Sequence, residues 1–513
     1  MTAFSTFALL YMTALFLELA ERWTYPAFTA AILLLTALLV WTGITRVTFL
    51  IFLVVTTSHF LLVQFPDVAN HVNVAIYCNL VLMVGITYSL ARRRDFPTDD
   101  DGLELLRPVL QLSMILVYAM AGFHKLNADF FNPAVSCVAD LVGDLSHMVH
   151  TRVAGVPTRL VLLAGILLLA HALLSARWAR RSVSPIARVV ALGATLLAAV
   201  LGFTLASAIP PAAMATAVLA MALVVILWEL IGGLLLSVPR VQAPVLAFSW
   251  MMHATLALIG FVDFGAFALA LLYTFVPRAY RDFLNDRVRV PLLGRPVHRV
   301  HLYFALCVLA GICAGLGRRL LGGILFNLAA LVFIWPIVSA AVSPSPRPAW
   351  TGVPITGRMT PSWMFVFPVL LLLHGFTSYL GLRTAGNFSM FSNLRTEGPR
   401  SNHLLLGENP LKVWGYQEDV VRFIRIDDRR ARIGYQYQPL QGSLLPVVEF
   451  RKLIYAWTKA GATIPLTFEY QGKIHSTSDI THDPAWRTPA RDWEMRLMDF
   501  RVIQPEGPNA CRW

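Results

Sequence analysis

Charge is what this sequence has least of. Only 14% of its 513 residues are Asp, Glu, Lys or Arg, where a soluble chain carries about a quarter. A water-soluble globule of this length is therefore not expected. Cysteine is scarce as well. Cys78, Cys137, Cys307, Cys313 and Cys511 make no CxxC pair and no metal-ligand spacing, so no metal site is expected. Cys78, Cys307 and Cys313 fall in apolar runs, as packing residues do. Cys137 and Cys511 lie outside the runs and can pair if both face an oxidising compartment. No convincing internal repeat is present. The first apolar run, from Phe4, has neither a basic flank before it nor an A-x-A-like cleavage site after it. It reads as a membrane helix, not as a signal peptide.

What the chain does have is apolar matter, and it is clustered. Hydrophobic residues make up 57% of it and the mean hydropathy is +0.63. Long uncharged runs predict spans near 5–20, 26–42, 47–65, 72–90, 108–126, 158–176, 186–207, 213–236, 244–261, 264–278, 300–316, 321–341 and 362–381, since a helix needs about 20 apolar residues to cross a bilayer. The expected fold is an all-α polytopic membrane bundle of about 11–13 transmembrane helices over residues 1–382, with a small α+β extramembrane domain over 383–513.

The net charge of +13 fits that architecture better than nucleic-acid binding, because basic residues at helix ends set orientation. Arg92, Arg93 and Arg94 follow the fourth predicted span, Arg177, Arg180 and Arg181 the sixth, Arg240 the eighth, and Arg278 to Arg299 the tenth. Even-numbered spans then end inside, and the C-terminal domain lies on the extracytoplasmic side. Arg318 and Arg319 are the exception. The connection 127–157, with Cys137, His147 and His150, reads as an outer loop or a re-entrant segment, and the Pro- and Gly-rich stretch 342–361 is a loop. Beyond residue 383 the texture changes. VVRFIRI (420–426) and PLTFEYQ (465–471) alternate like strands, Gln471-Gly472 marks a turn before KIHSTSDI, and a helix is expected after Pro446.

Ionisable groups inside spans are costly and often functional. Tyr118-Ala119-Met120-Ala121-Gly122-Phe123-His124-Lys125-Leu126-Asn127-Ala128-Asp129 closes a helix expected to begin after Pro108. Tyr118, Gly122 and Lys125 share one face by spacing. Gly122 admits another helix or a flat ligand beside Lys125, and His124 and Asp129 stand close by. The bland alternative is a lysine that snorkels to water. Asn70-His71-Val72-Asn73 opens the fourth span on the same outer side, so His71 and Lys125 can meet at one depth. A desolvated, neutral lysine there is a usable base; the alternative is that His71 caps a helix. Glu18, Glu229, His253 and His374 also lie in apolar runs. They are expected to bond to neighbouring helices or, for Glu18, to snorkel or cap.

The segment AGFHKLNADFF resembles the signature of the vitamin K-dependent γ-glutamyl carboxylase family, within the horizontally transferred transmembrane superfamily. ANHVNVAIYCNLVLMV resembles that family's Asn-His segment, some fifty to sixty residues earlier, and NFSMFSNLRTE more loosely resembles the segment where the chain leaves the membrane. The resemblance implies that Lys125 deprotonates a reduced vitamin K-type quinone, with Asn70 and His71 holding and activating it. Tyr118, Gly122, His124 and Asp129 would then line the quinone pocket. It further implies O2 and CO2 as reactants, a peptide or protein substrate on the outer face, and carboxylation of a glutamyl-type group. His124 stands where a family member has a second lysine, and Phe130 replaces a Trp. The C-terminal domain is shorter than the family's, so SNHLLLGENPLKVWGYQEDVVRF can serve a different substrate; His403, Arg395 and Glu397 are weaker candidates there, with solvated loop residues as the alternative. The competing functional readings are a non-catalytic membrane maturation or assembly factor and a transporter on the same helical framework.

Overall fold

The structure, a computed structural model, describes residues 1–22, 26–65, 69–141, 143, 211–258, 260–278, 280, 281, 287–289, 296–342, 353–355, 357, 359–398, 400–407, 411–427, 431 and 440–511. It is mostly helical, at 62%. The expected spans at 158–176 and 186–207, and His147 and His150, lie outside the described residues.

The main helices among the described residues of the first part are α1 (Ala3–Arg22), α2 (Pro26–Thr42), α3 (Arg46–His59), α4 (Asn70–Ala91), α5 (Asp99–His124), α6 (Pro211–Ile226), α7 (Gln242–Leu258), α8 (Val262–Leu272), α9 (Arg299–Gly315), α10 (Arg319–Val342) and α11 (Val366–Gly375). Five helical stretches among the described residues are long and apolar enough to cross a membrane: Ala3–Ala20, Arg46–Gln64, Asn70–Ala91, Asp99–His124 and Val218–Leu235. Six shorter apolar helices accompany them. A short antiparallel pair, β1 (Arg287–Arg289) and β2 (Pro296–His298), precedes α9.

Helix α1 is the centre of the bundle. It packs against α8, α9 and α2, and its side chains from Phe7 to Ala20 are buried. A helix apolar all round is a core helix or a span. The outer helices turn apolar residues outward, among them Leu34, Leu38 and Trp41 on α2 and Val366, Val369, Leu370 and Leu373 on α11.

Helix α5 starts nine residues before Pro108, not after it. Thr98 and Asp101 form a capping box, and Asp99, Asp100 and Asp101 sit in the first turn. There they complement the positive end of the helix dipole. Pro108 supplies no N–H to the turn before it. The Thr360 hydroxyl donates to the Leu105 carbonyl in that turn, at 2.7 Å. The 26 residues of α5 make a rod about 39 Å long.

The C-terminal part holds β3 (Val420–Ile426), β4 (Leu444–Pro446), α12 (Val447–Lys459), β5 (Leu466–Tyr470), β6 (Lys473–Thr477) and α13 (Asp492–Leu497). The sheet is antiparallel in the order β4-β3-β5-β6. Gln471 and Gly472, both at positive φ, form the tight turn between β5 and β6. Helix α12 buries Val447, Phe450, Leu453, Ile454 and Trp457 along one stripe. Phe450 packs on Phe423, Phe468 and Trp486 of a core separate from that of the bundle.

The two parts are joined covalently. Cys137, in the connection after α5, is disulfide-bonded to Cys511, with a Cα–Cα distance of 4.7 Å. The Asn509 backbone N–H donates to Asp129 at 2.9 Å, and Asn393 donates to the Val135 and Asn509 carbonyls. The chain terminus is thus fastened to the end of α5.

Candidate active site

The α-helical ladder of α6 widens into a π-helical turn at Leu227–Gly232 and continues as Gly233–Leu235. Such turns insert one extra residue and re-aim a side chain, and they cluster at functional sites. This one faces the Tyr118–Gly122–Lys125 stripe of α5. A Cβ on Gly122 would lie 2.7 Å from the Leu230 nitrogen and 3.0 Å from its Cα, so only glycine allows this approach. Of the two occupants expected beside Gly122, the structure has a helix there. Tyr118 packs on Gly233 and, edge to face, on Trp228.

The close approach brings Glu229 to Lys125. Lys125 Nζ lies 2.7 Å from Glu229 Oε2, and the lysine side chain is 3% exposed. The lysine does not snorkel. The contact is an ion pair by distance, but its angle is not that of an aligned hydrogen bond. The ammonium also reaches the Ala121 carbonyl at 3.4 Å. Such a pair has two neutral arrangements, ammonium with carboxylate or amine with carboxylic acid. In the second, Lys125 is a base.

His71 occupies a different cluster. Its Nε2 lies 2.7 Å from Glu18 Oε2 and 2.8 Å from Asp263 Oδ2. Glu18 does not snorkel or cap; it is buried on α1, and its partner is the imidazole. His71 does not cap α4 either: the N-cap position is Ala69, with no side-chain cap bond. One ring N–H can serve only one carboxylate in line, so the group balances its charge with a further proton or a cation. Among the described residues these three donors, all within 4.8 Å of one another, are the set close enough to hold a metal ion. A small cavity lies beside them against Ala14 and Phe267, with room for about one water.

His71 and Lys125 share no hydrogen bond or ion pair among the described residues. The lysine's near neighbour is a carboxylate, not the imidazole. Side chains connect the two clusters. The ring of Phe264 lies 5.6 Å from that of His71 and 4.8 Å from that of His253. His253 Nε2 meets the Tyr118 hydroxyl at 2.7 Å. Trp228, next to Glu229, closes on His253 and Tyr118. His253 Nδ1 is buried and has no hydrogen-bond partner among the described residues.

Asn70 binds the segment after α11, and His124 the last residue of α11. The Phe388 N–H donates to Asn70 Oδ1 at 3.0 Å, and His124 Nε2 meets the Gly375 carbonyl at 3.1 Å. Phe388, Phe391 and Asn393 all adopt positive φ. Non-glycine residues in that region cost about 1 kcal/mol or more each and persist where surrounding contacts hold them. Here Asn127 holds the Ser392 carbonyl, and Asn393 accepts from the Cys137 N–H at 2.8 Å. Asp129 accepts from Asn402 at 2.8 Å as well as from Asn509, which makes it a fastening for the C-terminal part.

His403 and Glu397 are buried, not solvated. His403 Nδ1 accepts from the Leu405 and Leu406 N–H groups, so Nε2–H donates to the Phe123 carbonyl at 3.0 Å. Burial pushes its pKa down, which suits this neutral tautomer. Glu397 accepts from Thr384 and lies 3.5 Å from Arg501; Arg395 donates to the Gln504 and Gly507 carbonyls. These three residues hold the C-terminal part together.

Sequence reasoning passed over Asp263 and left Glu229 without a partner. The signal for Glu229 was a lone acid in an apolar run, which needs a cation at its own depth. For Asp263 the signal was an acid at the start of a short apolar run. Comparison of the chain with protein-family models, with curated proteins and with solved structures returns no match.

Proposed function

We propose that this chain is an integral membrane enzyme of the vitamin K-dependent γ-carboxylase type, multi-pass, with its C-terminal part on the extracytoplasmic side. The observation that carries the reading is Lys125, buried against Glu229 at the end of an apolar helix, within the segment that resembles the family's catalytic motif. The Cys137–Cys511 disulfide puts the connection after α5 and the chain terminus on one side, which suits an oxidising compartment.

Lys125, as the free amine, takes a proton from the hydroxyl of a reduced quinone. Glu229 holds the lysine's own proton at Oε2 beforehand, and the new ammonium is balanced by the negative charge left on the deprotonated hydroxyl. Tyr118, Trp228 and Phe264 offer the flat apolar walls that a quinone ring needs, and His253 Nδ1 offers a buried polar atom for one of its oxygens. The residues thus suit the group in kind. The cavity beside His71 is too small for the ring and is lined by none of these three aromatic residues, so the quinone would enter between the aromatic side chains and not there. When bound, the reduced quinone supplies with O2 the strong base that removes a proton from a glutamyl-type acceptor, to which CO2 adds. Asn70 holds Phe388 over this end of the bundle, and the apolar surroundings keep water from the base.

Purified protein in lipid, given reduced vitamin K and O2, should form the quinone epoxide. Labelled CO2 should enter a glutamyl peptide. Epoxide without carboxylation would keep the quinol chemistry and reject the acceptor. Neither product, across several quinols, would favour the maturation-factor reading.

A further inference from the structure

The C-terminal part carries an apolar outcrop that its own core does not use. Leu404, Leu405, Leu406, Leu411, Val413 and Trp414 are all exposed, Leu405 at 69% and Leu411 at 77%. So much bare apolar surface in one short stretch marks an interaction site. We propose that the described residues 404–407 and 411–414 lie in the surface layer of the bilayer, with lipid as their partner. The inference rests on the reading of α5 and α11 as membrane spans.

Position carries it first. The Leu404 N–H donates to the Leu126 carbonyl just past the end of α5, at 2.9 Å. Beyond the end of α11, the Lys412 N–H donates to the Tyr379 carbonyl and the Trp414 N–H to the Leu380 carbonyl, each at 3.0 Å. A Cβ on Gly381, at φ +80°, would collide with the Trp414 carbonyl at 1.8 Å, so the stretch is pressed against the chain leaving α11. It therefore sits at the depth where two spans end. The outward face of α11, with Val369, Leu370 and Leu373, approaches the same end.

Chemistry carries it further. Lys412 is the charged residue among the described residues of this stretch, and it turns inward: its ammonium donates to the Gly398 carbonyl at 2.6 Å and faces Glu418 at 3.8 Å. The Leu405 and Leu406 N–H groups are taken up by His403 Nδ1. Apolar side chains thus face out while polar backbone is satisfied from within, as an apolar solvent demands. Trp414 is the residue type that membrane interfaces favour. Because the stretch is fastened to the turn that ends in Lys125, lipid contact would set the depth of that lysine in the bilayer.

The test uses the full chain in lipid nanodiscs, with Cys313→Ser and one added cysteine carrying an environment-sensitive nitrobenzoxadiazole label. Leu405→Cys and Leu411→Cys are the probes. Leu34→Cys, on the outward face of α2, is the lipid reference, and Ile474→Cys, on β6, is the water reference. The quenchers are phosphatidylcholines carrying a doxyl group either near the head group, for positions 405 and 411, or deep in the acyl chain, for position 34, and position 474 is measured with both. Labels at 405 and 411 should lose about half or more of their emission, as the label at 34 does, for a segment seated ~5–10 Å into the interface. Labels at 405 and 411 that match 474 while 34 is quenched would overturn the proposal and turn the search toward a protein partner. An unquenched label at 34 would overturn the membrane reading itself.

Discussion

Two of the charged clusters buried in the bundle differ in charge balance. Lys125 and Glu229 match one for one. His71 faces two carboxylates at once, Glu18 and Asp263. A matched pair can pass its proton within itself and stay neutral, which gives a base that an apolar site tolerates. An unmatched triad cannot; it must take a proton or a cation from elsewhere. Under the proposed function the difference divides the roles: the pair exchanges a proton with a substrate, and the triad holds charge at a fixed point where α1, α4 and α8 meet.

The largest effect should come from breaking the matched pair on one side. Lys125→Met should lower epoxide formation by about a hundredfold to ten-thousandfold, the usual worth of a general base. It should also destabilise the fold by about 3–5 kcal/mol, because Glu229 is left buried alone. Adding Glu229→Met should return the melting temperature to near the wild-type value without restoring activity. If the double variant stays as unstable as the single, the pair is not the isolated unit described here.

The triad should respond unequally to loss of an acid and loss of its base. His71→Ala leaves two carboxylates facing each other and should cost about 3 kcal/mol or more in denaturant unfolding. Asp263→Asn removes one of two like charges and should cost less, about 1 kcal/mol. Equal losses would mean that the two acids do not share the imidazole.

Gly122→Ala sharpens the geometry. Its added methyl meets the Leu230 backbone, which cannot swing aside as a side chain would. A loss of about 1–3 kcal/mol is expected. Activity should fall with kcat more than with KM, because Glu229 is pushed away from Lys125.

The smallest effect is expected outside the bundle, where charge is handled by water. At Asp479, burial opposes ionisation, but hydrogen bonds from His482, Thr481 and Ile464 outweigh it and hold the carboxyl at about 2, below the usual 3.8. A depressed pKa gives stability that is complete above about pH 4 and fades as pH falls toward 2. Asp479→Ala should cost about 1 kcal/mol at pH 7, as loss of a helix cap does. Acid titration of stability should show the wild-type and variant curves converging near pH 2.

Helix positions were largely legible because apolar runs must be long, and strand positions because alternation and the Gln471-Gly472 turn are local signals. The start of α5 was not. Pro108 reads as a boundary, yet the capping box at Thr98 starts the helix nine residues earlier and Pro108 sits inside it. At the site, the shared face of Tyr118, Gly122 and Lys125 followed from spacing. The partners did not, because which helix meets that face depends on contacts more than a hundred residues apart. Glu229 reaches Lys125 through a π-helical turn that no local pattern announces. Spacing allowed His71 and Lys125 to meet at one depth; the histidine's hydrogen bonds go to Glu18 and Asp263 instead.

The most direct test of the central claim is epoxide formation from reduced vitamin K by the Lys125→Met, Glu229→Met double variant in lipid, beside wild type. The account predicts a variant that unfolds at the wild-type temperature and forms no epoxide above background, while wild type does. Epoxide at the wild-type rate from the double variant would contradict it, since the proton would then be leaving by another route.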